Sequence, residues 1–139
     1  MADPLLEPDA NRATKEIDYR EVARLSIGYL MTMIGAVMRT RQGDFTDVLI
    51  VWAIFNGNGE TMRGVSRNAL SKMLDMPLET VRRRVNRLIE KKTLVERPDG
   101  LVFAFDVLKP DLRTPLDELN LRKLRELVRA LKAHGVDFD

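Results

Sequence analysis

The chain has 139 residues, 45% of them hydrophobic, with 23 Lys/Arg against 21 Asp/Glu and a net charge of +2. That length supports one domain with a real core rather than two. The lack of cysteine excludes disulfides, thiolate nucleophiles and cysteine-ligated metals, and the cytoplasm is the expected compartment.

Residues 1–16, MADPLLEPDANRATKE, combine prolines with acidic residues and lack the basic start and apolar run of a signal peptide, so a flexible leader is expected. From Ile17 to Thr40, Val22, Leu25, Tyr29, Met33 and Val37 recur at helical spacing, while Ile27, Leu30 and Ile34 widen the stripe. This predicts a long helix covered on two sides. Its nearly apolar run, Leu25 to Met38, has 14 residues, short of the roughly 18 that a membrane span requires, so a buried helix and no membrane are expected. Gly28 and Gly35, with Thr32 between them, would let another backbone approach, in intrachain packing or at a dimer seam.

Asp44 can cap a second helix from Phe45 to Phe55; VLIVWAIF is also a fair strand by propensity, and the helical reading is taken. The glycines and asparagines of NGNGE, Asn56 to Glu60, should end it. Ser66 is placed as the N-cap of a short helix reaching Asp75, with Ala69, Leu70, Met73 and Leu74 inward. After Asp75-Met76-Pro77 a further helix should start with Pro77 at its first position and Glu79 in its first turn. LVER and LVFAF, parted by Pro98-Asp99-Gly100, read as a hairpin, and Lys109 to Pro115 as a connector. The last helix has Thr114 as cap and Pro115 first, and runs to about His134, with Gly135 suited to the stop. Its Leu121, Leu124, Val128 and Leu131 form a seam against the first helix of the same or a partner subunit.

The charge is unevenly spread, since Met62 to Arg97 holds ten Arg/Lys against four Asp/Glu, a local +6, and the remainder sums to −4. Four of those arginines lie in PLETVRRRVNRLIEKK, Pro77 to Lys92. On a helical wheel Val81, Val85 and Leu88 share the inner stripe, Glu79, Arg83, Asn86 and Glu90 the opposite pole, and Thr80, Arg82 and Arg87 its shoulders; Arg84 is nearer the buried edge. A solvated face would interleave Glu and Lys for mutual support, whereas crowded arginines lack support without a negative partner. The planar guanidinium can make paired hydrogen bonds to phosphate or to the guanine edge.

A short helix, a three-residue turn, an arginine-faced helix and a hairpin have the makings of a winged helix-turn-helix. The stretch ALSKMLDMPLETVRRRVNRLIEKKTLVERPDGLVF resembles that motif in bacterial transcriptional regulators, and LETVRRRVNRL is similar to the recognition helix of the cyclic-AMP receptor protein family. Two helices, the winged motif and a closing helix together resemble a compact MarR-type (multiple antibiotic resistance) regulator. The resemblance implies base contacts by Glu79 and Arg83 and a phosphate contact by Thr80. The sequence departs from the pattern at Asp75, where the turn usually has glycine, at Thr93, where a glycine commonly follows the recognition helix, and at Leu78, where the receptor-protein family has a base-reading arginine. No β-roll for a cyclic nucleotide precedes the motif.

The expected fold is therefore mainly α with a small β-hairpin wing. Residues 17–139 form one winged-helix domain, divided into N-terminal helices (17–60), the winged motif (61–106), and connector with C-terminal helix (107–139). The expected function is sequence-specific binding of double-stranded DNA by a homodimer joined through its first and last helices. Helix 77–91 would enter the major groove and wing 97–101 would lie on the backbone. Arg82, Arg87 and Arg97 would hold phosphates, while Glu79, Arg83 and Asn86 would face bases. The alternative is a winged-helix module that meets an acidic protein. No enzyme, cofactor or metal site is expected: the single histidine, His134, is placed to complement the last helix's dipole, and no phosphate loop or nucleophile–base spacing occurs. Trp52, Phe55, Met31, Met33 and Met38 could line an effector pocket, although ordinary core explains them better.

Overall fold

A computed structural model describes residues 17–40, 44–104 and 114–139. The expected leader and most of the expected connector lie outside the described residues. The described chain is mainly helical: α1 (Tyr19–Thr40), α2 (Phe45–Asn58), α3 (Arg67–Leu74), α4 (Leu78–Glu90) and α5 (Pro115–Ala133), with one antiparallel hairpin of β1 (Leu94–Arg97) and β2 (Gly100–Phe103) between α4 and α5. Two compact units are formed, one by the described residues up to Ile34 with Asp117–Asp139, the other by Gly35–Leu116.

In the larger unit α2, α3, α4 and the hairpin enclose one core of Ile50, Val51, Ile54, Val65, Leu70, Val81, Val85, Leu88, Leu94 and Leu101. Two of the expected caps hold. The Asp44 carboxylate accepts from Asp47 N at 3.0 Å at the start of α2, and Ser66 Oγ accepts from Ala69 N at 3.1 Å at the start of α3. The hairpin pairs Leu94 with Phe103 and Arg97 with Gly100. Val65 extends it by one antiparallel bridge to Leu101, with N–H···O distances of 3.0 and 2.8 Å.

The NGNGE segment departs from expectation, because α2 continues through Gly57 to Asn58 before Gly59 turns away at φ 61°. The reason is tertiary. Asn58, 1% exposed, donates from Nδ2 to Arg63 O (2.7 Å) and Leu101 O (2.9 Å) and accepts at Oδ1 from Phe103 N (3.1 Å). A residue read as a turn former instead ties α2 to β2. Glycine is needed at position 57, where a Cβ would sit 2.8 Å from Val65 Cγ2.

In the smaller unit the Tyr29 hydroxyl of α1 donates to Asn120 Oδ1 of α5, and His134 Nε2 lies 3.9 Å from Glu21 Oε1, so the two helices run antiparallel. α5 stops where expected: Gly135 at φ 90° lets Val136 N and Gly135 N donate to Leu131 O (3.0 Å) and Lys132 O (3.2 Å). The expectation that α1 is covered on two sides needs correcting. Ile27, Leu30 and Met31 are 55, 50 and 68% exposed, because the apolar arc of α1 is wider than one antiparallel helix can cover. No residue of α5 is buried, and Leu121 and Leu124 remain open to solvent. By length and composition Tyr19–Arg39 is also apolar enough to cross a membrane (mean hydropathy 1.3), a test that core helices of globular proteins pass as well. Of the side chains considered for an effector pocket, Met33 is buried, Met31 is open to solvent, and Phe55 stacks edge-on against Phe103 with ring centres 5.5 Å apart.

Candidate functional site

The arginine-rich helix α4 is anchored by Val81 and Val85, both 0% exposed, and by buried Leu88. This is the inner stripe that the wheel predicts. The approach to α4 depends on Asp75, which takes the left-handed conformation (φ 49°, ψ 50°) that glycine would supply at less cost. Met76 N then donates to Ser71 O at 3.0 Å, and Ser71 Oγ donates to Met76 O at 2.5 Å, closing the turn between α3 and α4. Pro77 precedes α4 as its N-cap, one position before the expected place, and half-buried Leu78 takes the first helical position.

At the other end of α4, Lys92 rather than Thr93 takes the positive φ, 62°. Lys92 N donates to Ile89 O and Thr93 N to Leu88 O, at 3.0 and 2.9 Å, the paired bonds of a left-handed helix stop. The β-branched Thr93 is thereby relieved of a conformation it would resist, and an unbranched lysine carries it instead.

The residues proposed to contact a ligand fall into two groups. Glu79, Arg82, Arg83, Asn86 and Arg87 are exposed along the outer side of α4, and Thr80 is half-buried. The Arg83 and Arg87 side chains have no hydrogen bond or ion pair among the described residues. Arg82 Nη1 reaches Glu79 Oε2 only at 3.4 Å, between side chains 53 and 80% exposed, a pairing worth little in water. These three guanidiniums are therefore available to an incoming anion.

Other basic groups are already committed. Arg97 donates from Nε to Asp99 Oδ1 at 3.1 Å, and from Nη2 to Asp99 Oδ2 at 3.0 Å and to Met62 O. Asp99 also accepts from Gly64 N at 2.8 Å; the Arg97 guanidinium first, and that N–H second, hold its carboxyl below the usual range. Arg84 Nη1 lies 2.7 and 2.8 Å from the two Asp44 oxygens and 3.1 Å from Asp47 Oδ1, linking α4 to the start of α2. Its hydrogen bonds to Asp44 depress that carboxyl and raise the guanidinium.

Sequence reasoning missed one residue beside this face. Arg67, the first residue of α3, is ion-paired with Glu96 of β1 and donates from Nη2 to Asn86 Oδ1 of α4 at 3.0 Å. The Glu96 carboxyl is held below its ordinary range by that guanidinium. Three elements meet at this contact. The only sequence signal for it is an Arg and a Glu of opposite charge 29 residues apart, which local periodicity cannot pair.

Close backbone packing sets the hairpin against the segment before α3. A Cβ on Gly64 would stand 2.5 Å from Asp99 C and Gly100 N, and one on Gly100, at φ 133°, would stand 2.7 Å from Val65 N. The described residues contain no group of three or more His, Asp or Glu able to hold a metal ion. No protein-family model, curated protein or solved structure matches the chain.

Proposed function

We propose that this protein is a sequence-specific DNA-binding transcriptional regulator, built as a winged helix-turn-helix and acting in the cytoplasm as a homodimer. The observation that carries the reading is the outer face of α4, where Arg83 and Arg87 stand exposed without a partner among the described residues and Arg82 is only loosely held. They project from a helix whose opposite side is sealed by Val81, Val85 and Leu88. A helix of 13 residues is about 20 Å long, enough to lay one face in a major groove about 12 Å wide.

In this reading α3 and the left-handed turn at Asp75 set α4 into the groove, Arg83 and Glu79 face base edges, and Arg82, Arg87 and Thr80 hold phosphates. Arg97 can join the backbone contacts by exchanging part of its pairing with Asp99 for a phosphate, so its net contribution is smaller than that of an unpaired arginine. The exposed apolar side chains Ile27, Leu30 and Met31 of α1 and Leu121 and Leu124 of α5 supply the surface on which two copies associate. Two-fold symmetry then calls for an inverted repeat with half-site centres about 34 Å apart.

The test is selection from a random duplex pool, followed by salt-titrated binding to the enriched sequence. A palindrome and a negative slope of log affinity against log salt are expected. Arg83→Ala should relax preference at one base pair by about 1–3 kcal/mol, and Arg87→Ala should weaken all duplexes alike and reduce the slope by about one. Affinity indifferent to salt and to sequence would refute the proposal.

A further inference from the structure

Asn86 and Arg67 together carry an inference about which bases α4 prefers, resting on the DNA-binding reading above. An asparagine amide has an acceptor end, Oδ1, and a donor end, Nδ2, and a free exposed amide can present either. Here the choice is fixed. Arginine has donors only, so the group 3.0 Å from Arg67 Nη2 must be the oxygen. Arg67 itself is held, since Glu96 pairs with both of its terminal nitrogens, and at 23% side-chain exposure it has little freedom to turn away. Flipping the Asn86 amide would set its N–H groups against the guanidinium and lose a charge-assisted hydrogen bond.

The Nδ2 end of Asn86, which bonds to nothing among the described residues, is left as the group offered to solvent. We propose that Arg67 is a positioning residue that turns the donor end of Asn86 toward DNA, selecting a guanine edge over an adenine edge. Adenine asks the amide to accept from N6 and donate to N7 together, and although Oδ1 keeps a second lone pair, the guanidinium bound beside it turns that oxygen away from the groove and repels a further donor. Guanine presents O6 and N7, both acceptors, and asks only for the donors that remain.

The experiment compares selected operators for four full-length proteins: wild type, Asn86→Ala, Arg67→Leu and Glu96→Gln. Asn86→Ala identifies the position that Asn86 reads, as the one where preference disappears. At that position the wild type should favour guanine over adenine by about five-fold or more. Arg67→Leu frees the amide and should erase or reverse the ratio. Glu96→Gln, which keeps the size of the side chain and loosens only the anchor of Arg67, should reduce it part of the way and covers the case in which Arg67→Leu does not fold. Preference for adenine in the wild type, a ratio unchanged in both Arg67→Leu and Glu96→Gln, or no position responding to Asn86→Ala overturns the inference while leaving DNA binding intact. Failure of the wild type to bind any duplex overturns the functional reading itself.

Discussion

Replacing Asn58 with alanine should cost about 3 kcal/mol, and the structure says where that cost arises. The substitution removes two bonds donated to Arg63 O and Leu101 O and one accepted from Phe103 N. These losses are unequal. Leu101 O keeps the Val65 N–H at 3.0 Å, and Arg63 belongs to an exposed position that water can reach. The Phe103 N–H loses its Asn58 Oδ1 acceptor at a part-buried position beside an asparagine that is 1% exposed. Each lost hydrogen bond around this buried amide costs about 0.5–1.5 kcal/mol, and the space vacated by the amide adds about 1 kcal/mol more. For a chain of this length the loss corresponds to a midpoint about 10 °C lower. Urea unfolding followed by the fluorescence of Trp52, the only tryptophan and a residue of α2, gives the measurement. Asn56→Ala, on the exposed side of the same helix, is the control and should lie within about 0.5 kcal/mol of wild type. If Asn58→Ala matched the control, the bonds between α2 and β2 would contribute nothing net and the account of why α2 extends past Phe55 would fall.

Gly64→Ala should destabilise by about 2 kcal/mol or more in the same assay, because the new methyl would stand 2.5 Å from the Asp99–Gly100 backbone and must push the hairpin away; an unchanged midpoint would show that the hairpin moves without cost. Arg84→Met should destabilise most at neutral pH. Asp44 has its pKa depressed below the ordinary 3.8 by Arg84, so the stabilisation is fully present above that value and is lost as pH falls through the lower folded value. The gap between wild type and variant should therefore shrink in acid unfolding curves below about pH 4, and a gap constant from pH 7 to pH 3 would contradict the sign. In the proposed dimer, Leu30→Lys, placing a charge on the open face of α1, should weaken self-association by about 100-fold, or about 3 kcal/mol. Sedimentation velocity reads the shift to monomer, and a variant dimer as tight as wild type would move the seam elsewhere.

The chain's local chemistry was enough to write down the described helices, two of their caps and the hairpin. Apolar spacing in α4 identified Val81, Val85 and Leu88 as its inner side. Asp44 and Ser66 announced two helix starts, Gly135 a stop, and Pro98-Asp99-Gly100 the hairpin tip. All of these follow from contacts within a few residues, where period and turn preference govern. The outward position of Arg83 and Arg87 follows from the same wheel.

What those arginines are free to do depended on partners far along the chain. Arg84 and Arg97 look equivalent to Arg83 and Arg87 in a composition count, yet folding pairs Arg84 with Asp44 and Asp47 and brings Arg97, beside its near neighbour Asp99, onto Met62 O from 35 residues away. Asn58 reads locally as a turn residue and becomes a buried tie because β2 arrives beside it from 43 residues away. Arg67 acquires its relation to Asn86 only when α3, α4 and β1 converge. Hydrophobic period is a property of a short segment and survives in the sequence, whereas the Arg84 ion pairs and the satisfied buried amide of Asn58 exist only once distant segments meet. The tertiary structure alone therefore decides which charges remain available to a ligand.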